Sequence, residues 1–239
     1  KMKTIISSIF TFVLISYLVV EFKYSQLEFK GFEAYNKLWI HRGGSPENTI
    51  EGISQSLRNG FSGIETDLQY DEKNNLLLVG HDEINDGDVP LPKLETYLEH
   101  FKTIENQWWF DLKNLDQENA GKIIKIFKQL ENKFELTGKY FIESDQYIAL
   151  NTLAKEDLPT VYWINPHTKS RLFFLRSLEN KIKLIFSNFL GISIYYDSYN
   201  DRARSYLGKI PKFIFTVNGN KKNSFLQDKT VHVVLTDDL

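Results

Sequence analysis

Apolar residues in this chain come in short runs separated by longer segments with a different rhythm. Runs rich in β-branched and aromatic residues begin near residues 38, 63, 108, 140, 160, 192, 213 and 231. Between most of them lies a segment in which apolar positions recur three or four apart, as in Ile50, Ile53 and Leu57 or Ile123, Ile124, Phe127 and Leu130. The first pattern predicts strands and the second amphipathic helices. Leu76–Val79 is a further extended run behind the polar turn Asp71–Asn75, and it stands outside the count of eight. Alternating strands and helices with mostly short links imply parallel strands joined by right-handed crossovers. Eight such units predict a single-domain (β/α)8 TIM-type barrel, with a doubly wound open sheet as the alternative.

The first residues follow neither pattern. Lys1 and Lys3 precede Thr4–Val20, a run without a charge that ends at Glu21 and Lys23. Such a run is expected to be a membrane anchor or a signal peptide, and no pattern of small residues marks a cleavage site behind it. The basic residues lie on its N-terminal side, which places the rest of the chain outside the cytoplasm. The expected organisation is therefore signal or anchor over 1–23, linker over 24–37 and barrel over 38–239. No helix is expected after the last strand, and Tyr24–Lys37 is a candidate to cover that gap.

Composition narrows the chemistry. The 239 residues include 29 basic and 31 acidic side chains, a net charge of -2, so no basic face for nucleic acid is implied. There is no cysteine, which excludes disulfides, zinc-thiolate sites and cysteine nucleophiles. What remains is a set of polar residues just past the strand ends: His41-Arg42, Glu65 and Asp67, Asp111 and Lys113, Glu143, Asn165, Asn218 and Thr236-Asp237. In a (β/α)8 barrel those ends meet at one mouth, so positions spread over the chain can share a pocket.

Glu65 and Asp67 are two apart on a strand and point to the same face. Two carboxylates that close repel unless a proton or a cation lies between them. With Asp111 they suit a hard divalent cation, Mg²⁺ or Ca²⁺; alternatively, Glu65 or Asp67 caps a turn or pairs with a lysine. His41 and His81 are candidates for general acid and base, because an imidazole changes charge near neutrality. Arg42 offers a planar fork for phosphate oxygens and Lys113 a point charge. His100, His167 and His232 lack such neighbours and are read as structural. Glu47 and Asn48 are expected to shape the loop and cap the following helix.

These residues carry a resemblance. His41-Arg42-Gly43, Pro46-Glu47-Asn48-Thr49, Glu65, Asp67 and His81-Asp82 together resemble the opening signature of the glycerophosphodiester phosphodiesterase family. Leu91–Leu94, Phe110–Lys113, Phe215–Asn218 and Thr236-Asp237 resemble later blocks of that family, so the likeness runs from about Trp39 to the end. It implies a (β/α)8 barrel that hydrolyses glycerophosphodiesters to glycerol 3-phosphate and an alcohol. His41 and His81 would be the acid/base pair, Glu65, Asp67 and Asp111 the cation ligands, and Arg42 and Lys113 the phosphate contacts.

The chain also departs from the family pattern. Asp111 stands where glutamate is usual, Phe215 replaces a tryptophan, and Glu143-Ser144 replaces a serine-phenylalanine pair. The segment between His81 and Leu91 is short. The primary expectation is a small-molecule or lipid-derived phosphodiester substrate, with membrane association through the N-terminal segment. A phospholipase D or sphingomyelinase D-like enzyme and a non-catalytic phosphoester- or protein-binding barrel are the competing expectations.

Overall fold

The computed structural model describes residues 2–82, 90–166, 168–171 and 173–238, with side chains from residue 11 onward. His167 and most of the segment between His81 and Leu91 lie outside the described residues. In chain order the elements are α1 (Met2–Ser25), β1 (Leu38–Ile40), α2 (Ile50–Arg58), β2 (Gly63–Asp71), β3 (Leu76–Val79), α3 (Leu94–Phe101), β4 (Gln107–Leu112) and α4 (Ala120–Phe134). They continue with β5 (Tyr140–Ser144), α5 (Tyr147–Lys155), β6 (Thr160–Trp163), α6 (Phe173–Ile185), β7 (Gly191–Tyr195), α7 (Asp201–Leu207), β8 (Lys212–Phe215), α8 (Lys222–Leu226) and β9 (Val231–Thr236).

All strands except β3 form a parallel ring. β1 closes it by pairing with β2, where Ile40 faces Ile64, and with β9, where Trp39 faces Leu235. The open-sheet alternative is thereby excluded. β3 lies antiparallel on β2 as a hairpin and delivers the chain to Gly80 and His81.

Side chains alternate across a strand, so one parity of residue faces inward. Here it is the odd one. Trp39, Trp109, Phe141, Val161, Phe213, Val233 and Leu235 pack with Phe32 as the inner core, while Ile64, Phe110, Tyr140, Ile142 and Ile214 face the helices. Trp39 and Phe141 stack at 5.7 Å, and Phe141 meets Phe213 edge-on at 4.8 Å. Gly63 makes room for this floor, because a Cβ there would stand 2.0 Å from the Trp39 ring.

The segment before β1, expected to be a linker, seals this floor from below. Phe32 packs edge-on against Trp39 and Phe141. Gln107 Nε2 donates to the Glu33 carbonyl, and its Oε1 accepts the Tyr35 N–H at 2.7 Å. Lys37 Nζ donates to the Asp228 carbonyl, beside the start of β9.

The spanning segment expected near the N-terminus is not supported. Among the described residues, no helix is long and apolar enough to cross a membrane. The last turns of α1 are docked on the barrel instead. Tyr17 meets Phe174, Lys181 Nζ bonds Glu21 at 2.7 Å, and the Tyr24 hydroxyl donates to the Leu207 carbonyl at 2.7 Å.

Candidate active site: an acidic cluster at the barrel mouth

Beyond the aromatic floor, the same inward parity turns polar. The parallel register sets Glu65 beside Trp109, Asp67 beside Asp111, and Asp111 beside Glu143. One oxygen from each of Glu65, Asp67 and Asp111 lies within 4.8 Å of the others. Two ligands on opposite sides of a cation about 2.4 Å from each lie about 4.8 Å apart, so this spacing fits a hard divalent ion held by oxygen.

The turn after β1 supports the cluster. Arg42 has φ of 49°, a conformation that costs a non-glycine residue ~1 kcal/mol. It aims its backbone N–H at Glu65 Oε2, 2.6 Å away. Gly43 and Gly44 carry the turn on with positive φ, and a Cβ on Gly43 would strike Ile53 of α2. His41 is fixed through Nδ1, 2.7 Å from Asp237 Oδ1, and its Nε2 lies 3.9 Å from Glu65 Oε2. Asp237 is itself held by Asn218, whose Nδ2 donates to Asp237 Oδ2 and whose Oδ1 accepts the Asp237 N–H.

Asn48 was expected to cap α2. The cap is Thr49, which accepts the Gly52 N–H. Asn48 turns the other way, into the site. Its Nδ2 donates to Asp67 Oδ2 at 2.8 Å, and its Oδ1 accepts the Thr66 hydroxyl and the Asp67 N–H. The reason is backbone geometry: φ of 52° at Asn48 swings its side chain towards β2.

The basic residues are committed to carboxylates. Arg42 Nη1 pairs with Glu47 at 2.9 Å, and its Nε lies 3.2 Å from Asp67. Lys113 bridges Asp67 at 2.8 Å and Asp111. The alternative that Asp67 pairs with a lysine is thus realised alongside the clustering. His81 is about half-exposed, with Nδ1 3.0 Å from Asp82, and its carbonyl accepts from Gln69.

Burial governs the charges here. It pushes the Glu65 carboxyl well above the usual range, helped by Asp67 and Asp111. Burial also acts on Asp67, but Lys113, Asn48 and Arg42 outweigh it and hold that carboxyl low. Asp111 is raised by burial against the pull of Lys113. Burial opposes charge on Lys113, yet the two aspartates win and raise it. A cluster of this kind calls for positive charge at its centre, and Lys113 supplies part of it.

A cavity of about 330 Å³ opens over the cluster, lined by His41, Glu65, Asp111, Lys113, Glu143 and Trp163 among others. Glu143 is buried on its wall, accepting from the Trp109 indole and the Ser193 hydroxyl, and burial pushes its carboxyl well up. Its position near the end of β5 is visible in the sequence, but its partners are not. His100 packs edge-on against Phe101, and His232 Nδ1 lies 3.3 Å from the Phe32 carbonyl, both away from the mouth.

No protein-family profile matches the chain, and no curated protein matches it significantly. Solved structures do. A glycerophosphodiester phosphodiesterase from Parabacteroides distasonis superposes with a TM-score of 0.65 at 20% identity, over 87% of this chain and 94% of that one. A phosphodiesterase from Oleispira antarctica, solved with the product sn-glycerol-3-phosphate, gives 0.63 at 17% identity, over 90% and 95%. A calcium-dependent phosphoinositol-specific phospholipase C from a Pseudomonas species gives 0.55 at 11% identity, over 84% and 88%. The chain therefore shares the barrel fold of the glycerophosphodiester phosphodiesterases, the family its motifs resemble.

Proposed function

We propose that this protein is a cation-dependent phosphodiesterase that hydrolyses glycerophosphodiesters to glycerol 3-phosphate and an alcohol. The observation that carries this reading is the convergence of Glu65, Asp67 and Asp111 within 4.8 Å beside His41. The three carboxylates would hold Mg²⁺ or Ca²⁺, which when bound supplies charge stabilisation at phosphorus and acidifies a coordinated hydroxyl. Asp237 accepts from His41 Nδ1 and so leaves Nε2 as the basic nitrogen facing the cavity. His41 would take the proton from the attacking hydroxyl. His81, in the more exposed position, would return one to the departing alcohol. Arg42 and Lys113 would turn part of their donor capacity from carboxylates to the phosphate oxygens.

The test is release of glycerol 3-phosphate from glycerophosphocholine and glycerophosphoethanolamine, with EDTA, Mg²⁺ and Ca²⁺ in turn, beside His41→Ala. Cation-dependent release that falls about a thousandfold or more in the variant is expected. Turnover of intact phospholipid alone would transfer the site to the phospholipase D-like reading. Neither turnover nor cation binding would leave a non-catalytic barrel.

A further inference from the structure

The helices around the barrel do not share one kind of outer face. α4 shows the common arrangement: Ile123, Ile124, Phe127 and Leu130 are buried, and Lys122, Lys125, Lys128 and Gln129 are exposed. α6 is different. Phe173, Ser177, Lys181 and Leu184 are turned to the protein. Phe174, Leu175 and Ile182 are exposed, as is Phe186 directly after the helix, with Phe186 at 66% and Leu175 at 59%. At 3.6 residues per turn these four fall within about 120° of arc on the side away from the barrel. α6 is therefore apolar on both faces.

α1 extends the same surface. It lies on α6 through Tyr17 against Phe174 and Glu21 against Lys181. Its opposite side exposes Phe12, Ile15, Leu18, Val19 and Phe22. Phe12, Val13, Leu14 and Ile15 are exposed in succession, so apolar surface goes nearly round the helix. A helix apolar all round is buried either in a large protein core or in lipid, and the charges beside this one favour lipid. The charges at the rim are mostly basic. Lys169 and Arg171 just before α6, Arg176 within it and Lys23 on α1 are exposed, against Glu179. That sign complements anionic headgroups.

We propose that the outward face of α6, together with α1, docks the barrel against an anionic lipid bilayer, with the α6 side chains seated in the headgroup–acyl boundary. The barrel then lies on its side, fixed at two helices rather than swinging from an N-terminal tether. This surface is separate from the catalytic reading and stands or falls without it.

The chain has no cysteine, so a single introduced one is the only attachment point for a thiol-directed nitroxide. Leu175→Cys and Phe186→Cys report on the α6 face, and Arg58→Cys, exposed on α2 across the barrel, is the control. Full-length protein is mixed with vesicles of phosphatidylcholine and phosphatidylglycerol, and with phosphatidylcholine alone. Collision of the label with oxygen and with a water-soluble nickel chelate is then measured. On the anionic vesicles, labels at 175 and 186 should gain oxygen and lose nickel accessibility, while the label at 58 does not change. Leu175→Glu with Phe186→Glu should weaken vesicle partitioning about tenfold or more without altering the circular dichroism. Three results overturn the proposal. One is binding with labels at 175 and 186 as wet as at 58, meaning α1 alone holds the membrane. Another is no vesicle binding. The third is shielding of both labels without lipid in a species of twice the mass, meaning a second copy covers the face.

Discussion

The floor and the mouth of this barrel are built from the same inward-facing parity of the same strands, yet they do opposite work. At the floor, Trp39, Phe141 and Phe213 pack ring against ring, sealed by Phe32. A few residues on, the inward positions are Glu65, Asp67, Asp111 and Glu143, all wholly or partly out of water. Aromatic burial stabilises the fold. Clustered buried carboxylates cost stability until a counter-charge arrives. The contrast teaches that one end of the strands holds the barrel closed so that the other can keep its carboxylates crowded.

The largest effect that would sharpen this contrast lies at the mouth. Glu65→Gln keeps the shape but removes one charge from the cluster. Cation-dependent turnover should fall about a thousandfold or more, while the melting temperature in EDTA stays level or rises. A large loss of stability in EDTA would break the comparison, because it would make Glu65 a structural anchor. At the floor the expectation is reversed. Trp39→Ala should cost about 3–5 kcal/mol of unfolding free energy, the usual range for losing a buried tryptophan. The folded fraction should keep its cation affinity. Denaturant titration and isothermal calorimetry read the two quantities separately.

A smaller effect concerns pH. Burial raises the folded-state carboxyls of Glu65 and Glu143. A group raised on folding gives stability that is complete below the ordinary carboxylate range and is lost as pH rises through its folded value. Asp67, held low by Lys113, Asn48 and Arg42 against its burial, has the opposite sign and loses its contribution as pH falls. In EDTA, Glu65 and Glu143 should therefore pull the melting temperature into a decline as pH climbs above the ordinary carboxylate range, against the opposite pull of Asp67 and of carboxyls such as Asp228 that are also held low. Glu143→Gln should make that decline shallower, because it removes one raised group that touches Trp109 and Ser193 rather than the cluster's lysine. A slope unchanged in Glu143→Gln would show that this carboxyl is already ionised in the fold.

Much of this was legible in the chain, and the reason is periodicity. Strands starting near 38, 63, 108, 140, 160, 192, 213 and 231 follow from local apolar runs; their count favours a ring over an open sheet, and the β1–β2 pairing decides it. The Glu65–Asp67 pair followed from two-residue alternation. The illegible parts depend on long-range contacts with no period. Nothing local in Phe32 says that it will stop the barrel floor beneath Trp39. Nothing in Tyr17, Glu21 or Tyr24 says that an apolar helix will lie down on α6 and α7. Lys113 was legible as a cation near phosphate, but not as the bridge between two aspartates.

Asn48 gives the finest test, because it joins the loop of the mouth to a strand of the barrel. It contributes a backbone conformation at φ of 52° and three hydrogen bonds to Thr66 and Asp67. Two substitutions separate these contributions. Asn48→Gly keeps the backbone free to take the left-handed angle and deletes only the side chain. It should cost about 1–2 kcal/mol, the value of part-buried hydrogen bonds one of which meets a carboxylate. Asn48→Ala loses the same bonds and adds the penalty of a Cβ at positive φ, about 1 kcal/mol more. With Asn48 gone, Asp67 leans more heavily on Lys113, so cation affinity should weaken in both variants by the same factor. Equal stability of the two would mean that the loop relaxes to another conformation. Equal affinity to wild type would mean that Asn48 serves the fold and not the cluster. Stability that splits while affinity falls in parallel would show that this residue belongs to both halves of the comparison.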